Sequence, residues 1–292
     1  MMILITGVTG HLGTATVNFL LKKGISPAAI SGLARNPEKA AGLKEKGINI
    51  KTGDYNDYAS LVSAFKNVDQ LLLISGNDIA NRTQQQASAV KAAKEAGVKH
   101  ILYTSFERKN ESADSPIAPI ALSHLATEKS IVDSGIPYTI LRNNLYLDYV
   151  PLFLGEKVLE TGVFWPAGKG RLAAATRENM AEAIANVLAG SGHENKSYHI
   201  STPENFSLAD VATVLSSITG KSVPYLDPSA EDYKQALQQA GVPAEYIGVF
   251  AGFAEATKQG EFDSTSTDLE KLLGRKPTNL QQHLQVVYAP SK

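Results

Sequence analysis

The chain has 292 residues, enough to bury a substantial core as one large domain or as one domain carrying a smaller lobe. Hydrophobic residues at 43% and charged residues at 20%, with 28 basic against 29 acidic side chains, describe an ordinary globular protein with no basic stretch to grip nucleic acid. There is no cysteine, which removes disulfides, thiol nucleophiles, zinc ribbons and iron–sulfur ligation together and fits a cytoplasmic protein. No charged leader precedes the first strand-like run, so no signal peptide is expected. The longest apolar runs, such as Leu71-Leu72-Leu73-Ile74, are far too short to cross a bilayer.

In chain order, Ile3-Leu4-Ile5 reads as a strand and His11 to Lys23 as a helix. A strand at Ile30 to Ala34, a helix at Pro37 to Lys46 and a strand at Ile48 to Lys51 follow. Asp57 or Ser60 caps a short helix leading to a strand at Asp69 to Ile74. A long helix from about Asn81 to Ala96 ends at Gly97, which suits the position just past a helix C-terminus. Val98 to Thr104 is the next strand, Pro119 to Ser134 the next helix, and Tyr138 to Leu141 another strand. Apolar strands alternating with helices predict a doubly wound, parallel Rossmann-type α/β sheet covered on both faces.

After about Val150 the rhythm breaks. Gly162, Gly168 and Gly170 with Pro151 and Pro166 mark an irregular region around Phe164-Trp165. A helix from Thr176 to Ala189 and a short strand at Tyr198 to Ile200 precede a mostly helical remainder from Ser207. The expected division is a nucleotide-binding domain over 1–150 and a smaller, mostly helical substrate lobe over 151–292, with some segments returning to the first.

The stretch ITGVTGHLG sits between the first strand and the first helix and places glycines at Gly7, Gly10 and Gly13. Backbone N–H groups at a helix start are unpartnered and carry partial positive charge, and glycine lets a phosphate approach them. The candidate cradle is Gly7, Thr9, Gly10, His11, Leu12 and Gly13; the bland alternative is a packing turn. At the end of the second strand stands Arg35, with no acid in Gly32-Leu33-Ala34-Arg35-Asn36. A guanidinium fork suits a ribose 2′-phosphate and a carboxylate would repel it, so NADP(H) is expected ahead of NAD(H). Asp54, after the third strand, is either an acceptor for the adenine amino group or a turn cap. Ser75 and Gly76 after the fourth strand would let the cofactor pass closely, and Thr104 and Ser105 end the fifth.

These features resemble the NmrA-like atypical short-chain dehydrogenase/reductases over nearly the whole chain. The matching stretches are ITGVTGHLG, ARNPEKA, GDYND, LLLISG, AGVKHILYTS, HLATEK with GIPYTILRNNLY, and in the second half ENKSYHIS and FSLADVATVLSSITGK. Within that family the sequence is most similar to the type 2 NAD(P)H:quinone reductases and triphenylmethane reductases. The resemblance implies an NADPH-dependent reductase that passes hydride to a quinone or dye-like acceptor.

Typical short-chain dehydrogenases carry Tyr-x-x-x-Lys on a helix, the lysine lowering the tyrosine pKa for acid catalysis. The corresponding stretch here is Leu125-Ala126-Thr127-Glu128-Lys129, with the lysine but no tyrosine. The literal Tyr288-Ala289-Pro290-Ser291-Lys292 is a chance match with proline in its middle. A ketone needs its alkoxide protonated as it forms. A quinone yields a weakly basic phenolate and a cationic dye a neutral product, so the missing tyrosine narrows the acceptor to an easily reduced one.

Candidate acceptor-site residues are Phe106, to stack on a flat ring, Asn143, to donate to its oxygen, and Lys129, to contact the nicotinamide ribose; core or surface roles remain the alternatives. His124 and Glu128 lie four apart on one helix face and, lacking a third ligand nearby, read as a structural or pocket-edge pair and not a metal site. There is no Gly-x-Ser-x-Gly elbow and no Gly-Lys-Ser/Thr loop. Two functions stay open: the reductase, and a non-catalytic NADP(H)-binding redox sensor that regulates a partner. A homodimer is left open.

Overall fold

A computed structural model describes residues 1–289; the chance match ending at Lys292 lies partly outside the described residues. The first part runs β1 (Ile3–Ile5), α1 (His11–Lys22), β2 (Ile30–Ala34), α2 (Ala41–Glu45), β3 (Asn49–Thr52), α3 (Tyr58–Phe65), β4 (Gln70–Leu73), α4 (Arg82–Glu95), β5 (His100–Phe106), α5 (Ala118–Ser134) and β6 (Tyr138–Asn143). The second runs α6 (Val150–Leu154), α7 (Val158–Thr161), β7 (Val163–Phe164), β8 (Arg171–Leu172), α8 (Arg177–Ala189), β9 (Lys196–Ile200), β10 (Phe206–Ser207), α9 (Leu208–Thr219) and β11 (Tyr225–Leu226). It closes with α10 (Ala230–Gln239), α11 (Ala244–Lys258), α12 (Asp268–Leu273) and α13 (Leu280–Tyr288).

The central sheet has seven strands in the order β3-β2-β1-β4-β5-β6-β9, every pair parallel. Side chains alternate between its two faces, and both faces are buried. Ile3, Ile5, Leu72, Leu102 and Leu141 pack with Leu12, Val17 and Leu20 of α1 and Met180, Ile184 and Leu188 of α8. Leu4, Leu71, Leu73, Ile101 and Tyr103 pack on the other side with Leu61, Phe65, Ala89, Ala93 and Ile131 from α3, α4 and α5. The strand order reverses at β1, which opens a crevice above the carboxyl ends of β1 and β4.

The fifth strand starts two residues later than expected, because Gly97 (φ +77°) and Val98 still close α4, Val98 N donating to Ala93 O at 3.0 Å. That shift carries Phe106 onto the end of β5, in register with Asn143 on β6. The expected helix over 37–46 is broken into a 3₁₀ turn at Pro37–Ala40, where Asn36 accepts from Glu38 N, and α2. Asp57 caps α3 by accepting from Ser60 N.

Beyond β6 the chain builds a lobe around Phe153, Trp165, Phe206, Tyr233 and Phe262, with Phe106 and Tyr149 packed against it. Two small pairings, β7 with β11 and β8 with β10, brace it. Three elements return to the first unit: β9 extends the sheet beside β6, α8 covers it next to α1, and α12 contributes Leu269 and Leu273 to the same core.

Candidate functional site

The glycine loop crosses from β1 to α1 above the crevice. Gly7 has φ +57°, in the left-handed region that favours glycine, and Gly10 N donates to Gly7 O at 3.0 Å. A Cβ on Gly13 would lie 2.5 Å from Gly7 O and 2.8 Å from Val8 Cα, so only glycine lets the helix start against the loop. Gly10 is the N-cap of α1 with no side-chain hydrogen bond, and the first turn has no acid. The N–H groups there are therefore available to an anion. Thr9, Gly10 and His11 are exposed; Leu12 is in the core, leaving only its backbone for a ligand.

Arg35 follows β2, exposed, with no ion pair among the described residues. Asp54 forms a turn instead of facing outward freely: its Oδ1 accepts from Asn56 N at 2.8 Å. Ser75 lies at the exit of β4, held by Thr104 Oγ1, which accepts from Ser75 N at 2.9 Å. Gly76 follows in the same loop, its carbonyl fixed by Arg82 Nε at 2.7 Å. Ser105 is already engaged. Its hydroxyl donates to the buried Glu128 carboxylate.

On the acceptor side, Phe106 stacks on His124 with ring centroids 6.0 Å apart and meets Phe253 and Phe262 edge-on. Asn143 is buried, and apart from the Tyr146 phenol beside it neither its Oδ1 nor its Nδ2 has a hydrogen-bond partner. Burial pushes the Tyr146 phenol up to about 12, against the Asn143 amide and Arg177, which lower it. The Arg177 guanidinium sits over the rings of Tyr146 and Tyr149 at 5.7 and 5.1 Å and pairs with Asp148 at 3.4 Å.

Lys129 is a correction. Its side chain is 74% exposed, its ammonium paired with Asp133 at 2.6 Å, in a groove between α4 and α5 with Lys91 and Lys94. It does not reach the crevice. The inward face of α5 is one residue earlier in phase, and His124 and Glu128 occupy it. His124 Nδ1 lies 2.7 Å from the Tyr103 hydroxyl, and its Nε2 lies 3.4 Å from Arg82 Nη1. An Arg donor at Nε2 places the ring proton on Nδ1. Burial, then Arg82 and Arg108, pull the His124 pKa down to about 3, so the ring is neutral at ordinary pH.

Glu128 holds a buried ionic cluster. Arg108 grips it twice at 3.0 Å, and Arg142 twice at 3.2 and 2.8 Å. Burial raises its pKa, but the bonds from Arg108, Arg142 and Ser105 outweigh that and hold it down at about 2. The segment after β5 is then tied to the lobe. Glu261, itself buried, accepts from Lys109 N at 2.8 Å and Asn110 N at 3.0 Å, and Asn144 Nδ2 donates to Phe262 O at 3.1 Å. Arg82, Tyr146 and Arg177 were not singled out from sequence. The available signals were Arg82 opening the helix after Ser75-Gly76, and Tyr146 following Asn143-Asn144.

The sheet order, the crevice above β1 and the glycine loop define a dinucleotide-binding Rossmann-type protein. The chain belongs to the NmrA-like family, whose model matches residues 1–284. It is 38% identical over 289 residues to quinone oxidoreductase 2 of Escherichia coli K12, covering 98% of this chain and 99% of that one. The Citrobacter sp. triphenylmethane reductase complexed with NADP(H) superposes with a TM-score of 0.91 at 37% identity, covering 99% of this chain and 100% of that one. The NADPH complex of the E. coli quinone oxidoreductase superposes with a TM-score of 0.90 at 36% identity, covering 98% and 99%. Among the described residues, no helix is long and apolar enough to cross a membrane.

Proposed function

We propose that this chain is an NADPH-dependent reductase that passes a hydride to a quinone or triphenylmethane-dye-like acceptor. The observation that carries the reading is Asn143. A buried amide with no polar neighbour besides the Tyr146 phenol keeps unmet hydrogen-bonding capacity that costs on the order of 1–3 kcal/mol unless a ligand completes it. It stands beside Phe106 at the strand ends, under a lobe rich in aromatic rings.

Several features of the chain fit the cofactor. The first-turn N–H groups of α1 receive its pyrophosphate, in a cradle that a Cβ on Gly13 would block. Arg35 takes the 2′-phosphate, and Ser75 and Gly76 line its path. Bound there, the reduced nicotinamide supplies the hydride. Asn143 Nδ2 donates to the acceptor oxygen and steadies the charge that develops on it. Phe106 presents an apolar ring to a flat acceptor, and the neighbouring Phe253 and Phe262 exclude water. Tyr146 stays protonated at ordinary pH and offers a second hydrogen bond. With no tyrosine on α5 at the short-chain position, the proton that completes a hydroquinone comes from solvent.

The test is NADPH consumption at 340 nm with a panel of quinones and triphenylmethane dyes. Acceleration with at least one acceptor is expected. Tight NADPH binding without acceleration by any of them overturns the reductase in favour of a sensor.

A further inference from the structure

Arg82 is a buried cation with no carboxylate of its own. The residue is 7% exposed, at the first position of α4. Its Nε donates to Gly76 O at 2.7 Å, and its Nη1 reaches Ser123 Oγ and His124 Nε2, both at 3.4 Å. Its Nη2 has no partner among the described residues. The acid nearest in influence, Asp78, is exposed and engaged by Asn81 and Gln85.

The other guanidinium groups around the site each have a carboxylate, and the buried Glu261 carboxylate is held by backbone N–H groups. Arg108 and Arg142 share Glu128, Arg108 also meets Glu111 at 3.0 Å, and Arg177 has Asp148. His124, which touches Arg82, is neutral. Tyr146, beside Asn143, is within electrostatic range of the Arg82 guanidinium. Arg82 is therefore the guanidinium bordering the acceptor site that has no carboxylate partner among the described residues, and low polarity there magnifies its field.

We propose that Arg82 is the acceptor-specificity residue: its uncompensated guanidinium selects acceptors that carry or develop negative charge, quinones above all, and disfavours cationic dyes. The proposal rests on the reductase reading and narrows its acceptor class. A neutral quinone that takes up a hydride becomes a hydroquinone monoanion, NADPH becoming NADP⁺, and then takes one proton from water. A triphenylmethane cation that takes up the same hydride becomes a neutral leuco compound and needs no proton. The field of Arg82 stabilises the first product relative to its reactant. In the second reaction it opposes binding of the reactant and gains nothing as charge disappears.

The test measures binding as well as turnover. Equilibrium dialysis of the full chain loaded with NADP⁺ compares hydroxynaphthoquinone, an anion at neutral pH, with menadione, which is neutral, and crystal violet, a cation. Wild type should bind the anion tightest and crystal violet weakest. Arg82→Gln should weaken the anion by about tenfold, the loss of one charge-assisted contact, and leave menadione nearly unchanged while crystal violet tightens. Arg82→Lys should keep the order. The ratio of kcat/KM for menadione to that for crystal violet should fall in Arg82→Gln in the same direction.

Equal weakening of all three ligands in Arg82→Gln, no change in any, or a wild type that binds crystal violet tightest overturns the proposal. If Arg82→Gln fails to fold, as judged by circular dichroism, Arg82→Lys decides: a folded Arg82→Lys without the anion preference also overturns it. A wild type that keeps the binding order but oxidises no NADPH with either acceptor overturns the reductase reading and leaves the charge selection standing.

Discussion

Arg35 illustrates how far a single residue can be read. Its type and place after β2 were visible in the sequence, and its exposed side chain has no ion pair among the described residues. Arg35→Ala should weaken NADPH by about ten- to a hundredfold in a fluorescence titration while NADH changes little; equal loss for both contradicts the assignment. Gly13 is equally local. Gly13→Ala drives a methyl group into Gly7 O and Val8 Cα, and should cost about 1–3 kcal/mol in urea unfolding as well as NADPH affinity. Lys129 was not legible, because the candidate came from the position of the short-chain lysine, and on α5 the residue before it, Glu128, takes the inward face while Lys129 faces out. His124 and Lys129 are only five residues apart, yet one contacts Tyr103 inside and the other Asp133 outside. Arg82 was hidden for a different reason. What matters about it is the missing partner, and a missing partner has no signature in sequence.

At the scale of elements, α5 is held by its ionic face more than by an apolar stripe. Glu128 joins it to β5 through Ser105, to β6 through Arg142, and to the segment after β5 through Arg108. Glu128→Gln leaves two guanidinium groups facing a neutral amide, one of them fully buried, and should lower stability by about 3–5 kcal/mol in chemical denaturation. The pH dependence has a definite sign. The folded pKa of about 2 lies below the ordinary 4.5, so the stabilisation is fully present above pH 4.5 and lost as pH falls toward 2. Urea midpoints recorded across that window should fall less steeply in Glu128→Gln than in wild type, and parallel curves would contradict the role. The order of the elements was legible because apolar runs and helical stretches alternate strictly up to Asn143. The two-residue shift of β5 was not, because the turn that ends α4 extends past Gly97 through a backbone bond from Val98 to Ala93.

For the whole molecule, the break in rhythm after Val150 marks where the chain leaves the sheet but not where the first unit ends. Met180, Ile184, Leu188, Ile200, Leu269 and Leu273 lie in the same core as Ile3 and Leu141. A fragment of residues 1–150 would expose that core and the β6 edge; it should give a weak, non-cooperative melt where the full chain gives one transition. A cooperative melt of the fragment would contradict the shared core. Such returns join residues far apart in sequence; that some segments come back was expected, but no local pattern says which ones. In the proposed function, the parallel sheet, the glycine loop and the acceptor residues at the ends of β5 and β6 act together as one reductase. The most direct test is a single turnover in stopped flow, mixing protein preloaded with NADPH against a quinone. The account predicts loss of 340 nm absorbance at a rate that rises with quinone and slows when the transferred hydrogen is deuterium. Protein-bound NADPH that persists unchanged in the presence of quinones and dyes would contradict it.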